Sequence, residues 1–179
     1  MLVLGVDPSS TSTGYGFVEY SKRKARYVAC GCIRPKEDAF EDRLVFMFDE
    51  MTRLIGEYSP DESAIETTFF GKDATAASKL GQARGCLIIA MRKAGLSIAH
   101  YTPTTVKKSV TGNGQATKQQ VQFMVTRSLD LKERPKSLDA SDALAIALCH
   151  TQQSGRVLCE DRGQRKPEVE ALLSRMVRR

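Results

Sequence analysis

Three acidic elements stand where short apolar runs end or begin, and together they have the makings of a cation site. Leu2-Val3-Leu4-Gly5-Val6 runs into Asp7, Ala64-Ile65 runs into Glu66, and Asp139-Ala140-Ser141-Asp142 opens the apolar segment from Ala143 to Leu148. Four carboxylates gathered in one place repel. At ~4 Å and an effective dielectric of ~20, each like pair costs roughly 4 kcal/mol. Protons or bound cations must offset that cost, and ligands that are all oxygen select Mg²⁺ or Mn²⁺. Taken singly, Glu66 also reads as a surface acid at a strand end, and Asp139 as the N-cap of a helix.

The elements that must hold these acids follow from the same runs. Short continuous apolar stretches suit strands buried on both faces, and a charge at the end of such a strand sits at the sheet rim, where open α/β sheets bind ligands. Asp139 and Asp142 are three apart, so a helix puts both on one face. The pattern predicts strands over 2–7, 14–20 and 26–33, a helix over 40–57, a strand over 62–66, a helix over 72–94 and a strand over 96–101. A helix or turn over 103–109 and helices over 117–128 and 139–151 complete the order. In 40–57, Leu44, Met47, Phe48, Met51, Leu54 and Ile55 repeat at helical spacing. Pro8 to Gly14 is turn-rich, and Gly95 is a good stop for the helix before it. Three hairpin-like strands followed by alternating helices and strands give an α/β fold, a mixed sheet flanked by helices.

The chain has 179 residues, enough for one domain plus a tail, and 41% of them are hydrophobic. The expected domain is 1–151; residues 152–179 read as a basic, flexible C-terminal tail with a short amphipathic segment from Glu168 to Arg179. The formal net charge is +6. A basic protein with a concentrated acidic site is what a polyanionic substrate requires, since the surface attracts phosphates while cations neutralise the acids. The five cysteines (Cys30, Cys32, Cys86, Cys149 and Cys159) form no CxxC pair. An odd count without a framework suits a reducing cytoplasm, and Cys30 and Cys32 read as packing residues on one strand face. Neither a signal peptide nor an apolar stretch of membrane-spanning length is evident. His100 and His150 stand isolated in sequence and read as structural.

Gly5-Val6-Asp7-Pro8, Ala64-Ile65-Glu66, Ser78-Lys79-Leu80-Gly81-Gln82-Ala83-Arg84-Gly85 and Asp139 to Ala147 resemble, in order and spacing, the RuvC family of Holliday junction resolvases. The resemblance covers residues 1 to about 150. It implies a ribonuclease H-like fold with a five-stranded sheet, a homodimer, and cleavage of two opposing strands of a four-way DNA junction with divalent metal. By position, the family's catalytic and metal-binding carboxylates fall on Asp7, Glu66, Asp139 and Asp142. The implied cofactor is Mg²⁺, two per active site, with Mn²⁺ as a substitute. Two such ions ~3.5–4 Å apart activate a water for in-line attack and stabilise the departing 3′ oxygen. The family's branch-migration complex of RuvA and RuvB is the implied protein partner. One departure is Ser9, where the family usually carries glycine.

The resemblance also implies DNA contacts. Phe69, in Thr67-Thr68-Phe69-Phe70-Gly71-Lys72, matches an aromatic that stacks at the junction crossover, and such stacking contributes ~1–3 kcal/mol per base. Phe70 reads as a core residue. Lys107, Lys108 and Lys118 flank the loop Thr111-Gly112-Asn113-Gly114-Gln115 and are placed to meet phosphates, with Lys107 and Lys118 matching family positions. Gly81, Ala83 and Gly85 keep one helix thin enough for close approach by the sheet or by a second subunit. The alternatives are a ribonuclease H-like nuclease for another branched or hybrid substrate, and a junction-binding protein that does not cut. A sugar-kinase-like ATPase needs two related domains, which this length does not supply.

Overall fold

The computed structural model describes residues 1–67 and 73–160; Phe69 and Phe70, and the segment Glu168 to Arg179, lie outside the described residues. Ten elements follow in the order β1 (Leu2–Asp7), β2 (Thr13–Ser21), β3 (Lys24–Ile33), α1 (Phe40–Tyr58), β4 (Glu62–Glu66), α2 (Ala74–Lys93), β5 (Ile98–Tyr101), α3 (Pro103–Thr111), α4 (Lys118–Ser128) and α5 (Leu138–Glu160). The five strands form one sheet in the order β3-β2-β1-β4-β5. The first three strands pair antiparallel, whereas β1, β4 and β5 run parallel. The mixed α/β sheet expected from the sequence is therefore present.

Strand β1 is central, and its alternation decides the rest. Val3 packs in one apolar cluster with Val18, Ala64, Val121, Val125 and Leu144, the face covered by α3, α4 and α5. Leu4 and Val6 pack in the other, with Phe17, Ile65, Met47, Met51 and Leu87, the face covered by α1 and α2. With a side-chain period of two, Gly5 and Asp7 share Val3's side, and in β4 Glu62 and Glu66 share Ala64's. Both strand-end acids therefore face α5.

That helix comes unusually close to the sheet. A Cβ on Gly5 would collide with the backbone of Ala143 and Ala147, and one on Gly14 would collide with the backbone of Asp139. Bare backbone at these two places lets α5 settle directly on β1 and β2. α5 continues without a break from 151 to Glu160, because Gln152 and Gln153 are good helix formers and Gln152 accepts a hydrogen bond from Ser109 (2.7 Å). Helix α2 ends as the sequence predicts. Gly95 takes φ +81°, its N–H donates to the Arg92 carbonyl (3.0 Å), and Leu96 N–H donates to that of Met91 (3.1 Å), which is a Schellman closure.

Candidate active site

Asp7 and Glu66 end adjacent parallel strands one step beyond the paired residues Val6 and Ile65. Across the antiparallel pair Asp7 lies opposite Gly14, and Gly14 is the residue on which the Asp139 backbone rests. Asp142 follows one helical turn later on α5. Four carboxylates from two strands and one helix thus lie at a single rim of the sheet.

Their electrostatics bear the mark of that crowding. Burial raises the Asp7 pKa to about 8, helped by the charges of Glu66, Asp142 and Asp139 and offset by Lys118. Burial and then the Asp142 charge push Glu66 up to about 7, against the pull of Lys118 and Lys107. Asp142 is raised as well, again chiefly by burial, with Lys118 acting the other way. Lys118, the first residue of α4, places its Nζ 3.0 Å from Asp142 Oδ2. A capping box at Thr117 and Gln120 fixes the start of α4 and so aims this side chain. Among the described residues, no three His, Cys, Asp or Glu side chains already stand as a closed metal cage. The donor set nonetheless suits a hard cation. Every acid brings oxygen, and among the described residues the one Lys or Arg side chain in an ion pair with these four acids is Lys118, on Asp142.

Asp139 is not the helix cap. Ser137 Oγ accepts from the Asp139 N–H (3.2 Å), so Ser137 serves that end of α5. The Asp139 carboxylate instead accepts a 2.8 Å hydrogen bond from Ser12 Oγ. Ser12 lies in the loop whose Ser9 departs from the family's glycine. Ser9 sits at an ordinary negative φ, and its hydroxyl accepts from the N–H groups of Thr11 and Ser12, both at 3.3 Å. Thr13 adds a return bond to the Ser9 carbonyl (2.9 Å). A glycine's freedom is not needed at that position, and the serine ties the loop instead.

Around the acids, Lys107 and Lys118 face the site, and both lower the pKa values there. Lys108 does not join them: it lines a separate groove with Thr104, Gln152 and Gln153. Arg84 went unassigned in the sequence; its Nε donates to the Glu66 carbonyl (3.2 Å) and its fork meets His100 Nδ1 (2.8 Å), fixing the end of β4. Its place in the block Ser78 to Gly85 was the available signal. His150 is structural but not isolated. Its Nε2 lies 2.6 Å from Glu62 Oε2 and its Nδ1 2.8 Å from the Tyr101 hydroxyl, tying α5 to the start of β4 and the end of β5.

Comparison with known proteins agrees in sequence and in structure. Residues 3–150 match the family described as crossover junction endodeoxyribonuclease RuvC. The protein of that name from Hahella chejuensis is 51% identical over 154 residues, 85% of this chain and 89% of its own length. That from Chromohalobacter salexigens is 48% identical over 166 residues, covering 92% of this chain and 89% of its own. A solved structure of T. thermophilus RuvC in complex with Holliday junction substrate superposes with a TM-score of 0.80 at 32% identity, over 86% of this chain and 94% of the other.

Proposed function

The chain belongs to the crossover junction endodeoxyribonuclease RuvC family, and we propose that it resolves four-way DNA junctions, as a homodimer, by hydrolysing a phosphodiester at the rim where Asp7, Glu66, Asp139 and Asp142 meet. The observation that carries this reading is the shared face. Two strand-end acids and two helix acids lie near enough for the charges of the other three to raise the Asp7 pKa, over a joint of bare backbone. A ribonuclease H-like sheet positions its chemistry in this way.

Asp7, central, largely buried and held by strands on both sides, would be the chief ligand of a divalent cation there. Glu66 and Asp142 would be further ligands, with Asp139 as a ligand or as an orienting group for water. Bound there, Mg²⁺ or Mn²⁺ would activate the attacking water and stabilise the leaving 3′ oxygen. Lys118 neutralises Asp142 while no cation is bound, and its exposed ammonium is free to turn to a phosphate once a cation takes over. Lys107 stands beside it as a second phosphate contact, and Phe69 is assigned to the crossover itself.

Cutting two opposing strands needs two sites, and α2 offers the face for a second copy. Gly81 and Gly85 have open space where a Cβ would stand, and Ile89, one further turn along, is 55% exposed. That row is thin and apolar, the form that lets two helices approach closely.

The test is cleavage of a synthetic mobile junction beside a matched linear duplex, each with and without Mg²⁺. Cleavage confined to the junction and dependent on the cation is expected. Asp7→Asn should abolish it while leaving junction binding intact or tighter, because one like charge near the phosphate is gone. Substantial Mg²⁺-dependent cleavage by that variant would remove Asp7 from the reaction.

A further inference from the structure

The Asp139 carboxylate is held by a relay that begins outside the site. Arg34, exposed just past the end of β3, places its Nε 3.3 Å from Ser12 Oγ, and that hydroxyl is 2.8 Å from Asp139 Oδ2. The directions are fixed by chemistry. A guanidinium can only donate, so the Ser12 hydroxyl accepts from Arg34 and its own proton goes to Asp139. Asp142 has Lys118 against it, and Glu66 and Asp7 are set by their strands. Asp139 relies on Ser12.

Arg34 also borders a groove of about 670 Å³ between edge strand β3 and the segment leading into α5, and its lining includes Ser137 and Ala140, which flank Asp139 in sequence. Lys132, Arg134 and Lys136 line it together with Arg34, against the two acids Asp130 and Glu133. A groove lined by four cations, with Ser137 and Ala140 of its wall flanking Asp139 in sequence, suits a sugar–phosphate backbone. Lys and Arg rims make contacts of that kind, which position a strand without reading its bases.

We propose that this groove carries the DNA backbone flanking the cut, with Arg34 on a phosphate, and that Ser12 is a positioning residue linking that contact to Asp139. The proposal rests on the acids being the cutting site, and it adds a strand path and a means of aligning one acid when the strand arrives. Arg34 keeps its remaining N–H groups for the phosphate while its Nε holds Ser12, so one side chain touches both substrate and relay.

Two measurements that do not involve cleavage test it. Mn²⁺ titration of the DNA-free protein, followed by electron paramagnetic resonance, should show Ser12→Ala binding about 10- to 100-fold more weakly, the usual effect of losing a residue that orients a metal ligand. Ser12→Thr, which keeps the hydroxyl, should recover most of that loss. Junction affinity measured in chelator across a salt series should show Arg34→Gln losing about one counterion from the slope of log K against log salt, with Ser12→Ala unchanged. Wild-type Mn²⁺ affinity in Ser12→Ala would overturn the relay, and an unchanged slope in Arg34→Gln would overturn the groove assignment. Failure of the wild-type chain to cut junctions, or cleavage surviving in Asp7→Asn, would instead sink the cutting site on which the proposal rests.

Discussion

Replacing Gly14 with alanine puts a methyl group into the joint between β2 and α5. The new carbon would stand 2.6 Å from the Asp139 carbonyl carbon, where ordinary contact begins at 3.4 Å. The shortfall is at least about 0.8 Å and is larger at the Asp139 carbonyl oxygen, which lies nearer, and the obstacle is backbone, which cannot rotate away as a side chain would. The start of α5 must therefore retreat by that order, taking the Asp139 carboxylate with it. Overpacking of this kind costs about 1–3 kcal/mol, which a fold of ordinary stability survives. For a chain of this size the melting temperature should fall by about 2–12 °C. Cleavage should suffer more than stability, because a misplacement near 1 Å can cost about 100-fold in rate. Junction affinity should hold, since the phosphate contacts assigned to Lys107 and Lys118 lie on other elements. The assay pairs single-turnover junction cleavage with thermal melting, and Gly56→Ala is the control. Gly56 lies in α1 with open space around it, so alanine there should add about 0.5–1 kcal/mol and leave the rate alone. Wild-type cleavage by Gly14→Ala would show that the backbone contact does not set the position of Asp139.

Three further outcomes are expected. In chelator, Asp7 titrates in the folded chain at about 8 and Glu66 at about 7, against ordinary values of 3.8 and 4.5; the folded state then holds more protons than the unfolded one through that window, so stability falls as pH rises across it. Thermal melts in chelator should show this decline between about pH 5 and pH 8, and Mg²⁺ or Mn²⁺ should flatten it; a pH-independent melting temperature without metal would contradict the crowded-acid account. Lys107→Gln and Lys118→Gln should each reduce the salt slope of junction binding by about one, and an unchanged slope would return the lysine to solvent. Ile89→Glu should shift the protein toward monomer in analytical ultracentrifugation and uncouple the two cuts, whereas an unaltered dimer would move the interface away from α2.

Much of this arrangement was legible in the chain itself. Asp7 and Glu66 end apolar runs, so strand assignment and the period of two place them at a rim on one side. The spacing of Asp139 and Asp142 places both on one helix face, and Gly95 marks its turn by residue type alone. What stayed hidden depends on pairs of elements distant in sequence. Nothing local says that Gly5 and Gly14 are contact points for a helix more than a hundred residues away. The bond from Ser12 to Asp139 likewise exists only once β2 and α5 meet. Gln152 to Gly155 look loop-like by composition, yet a packed helix carries them forward. His150 appears solitary because its partners, Glu62 and Tyr101, come from two other strands.

The seating of α5 on bare backbone has a consequence for how activity is lost. Two acids belong to the central strands and two to the helix against them, so the residues that separate on inactivation are those whose contacts make the core. Loop-borne sites often fail early, through local opening well below the global transition. Here, separating Asp139 and Asp142 from Asp7 requires lifting α5 off the sheet, which opens the apolar cluster as well. Cutting and cooperative unfolding should then share one denaturant midpoint, and a population of folded but misaligned enzyme should be scarce.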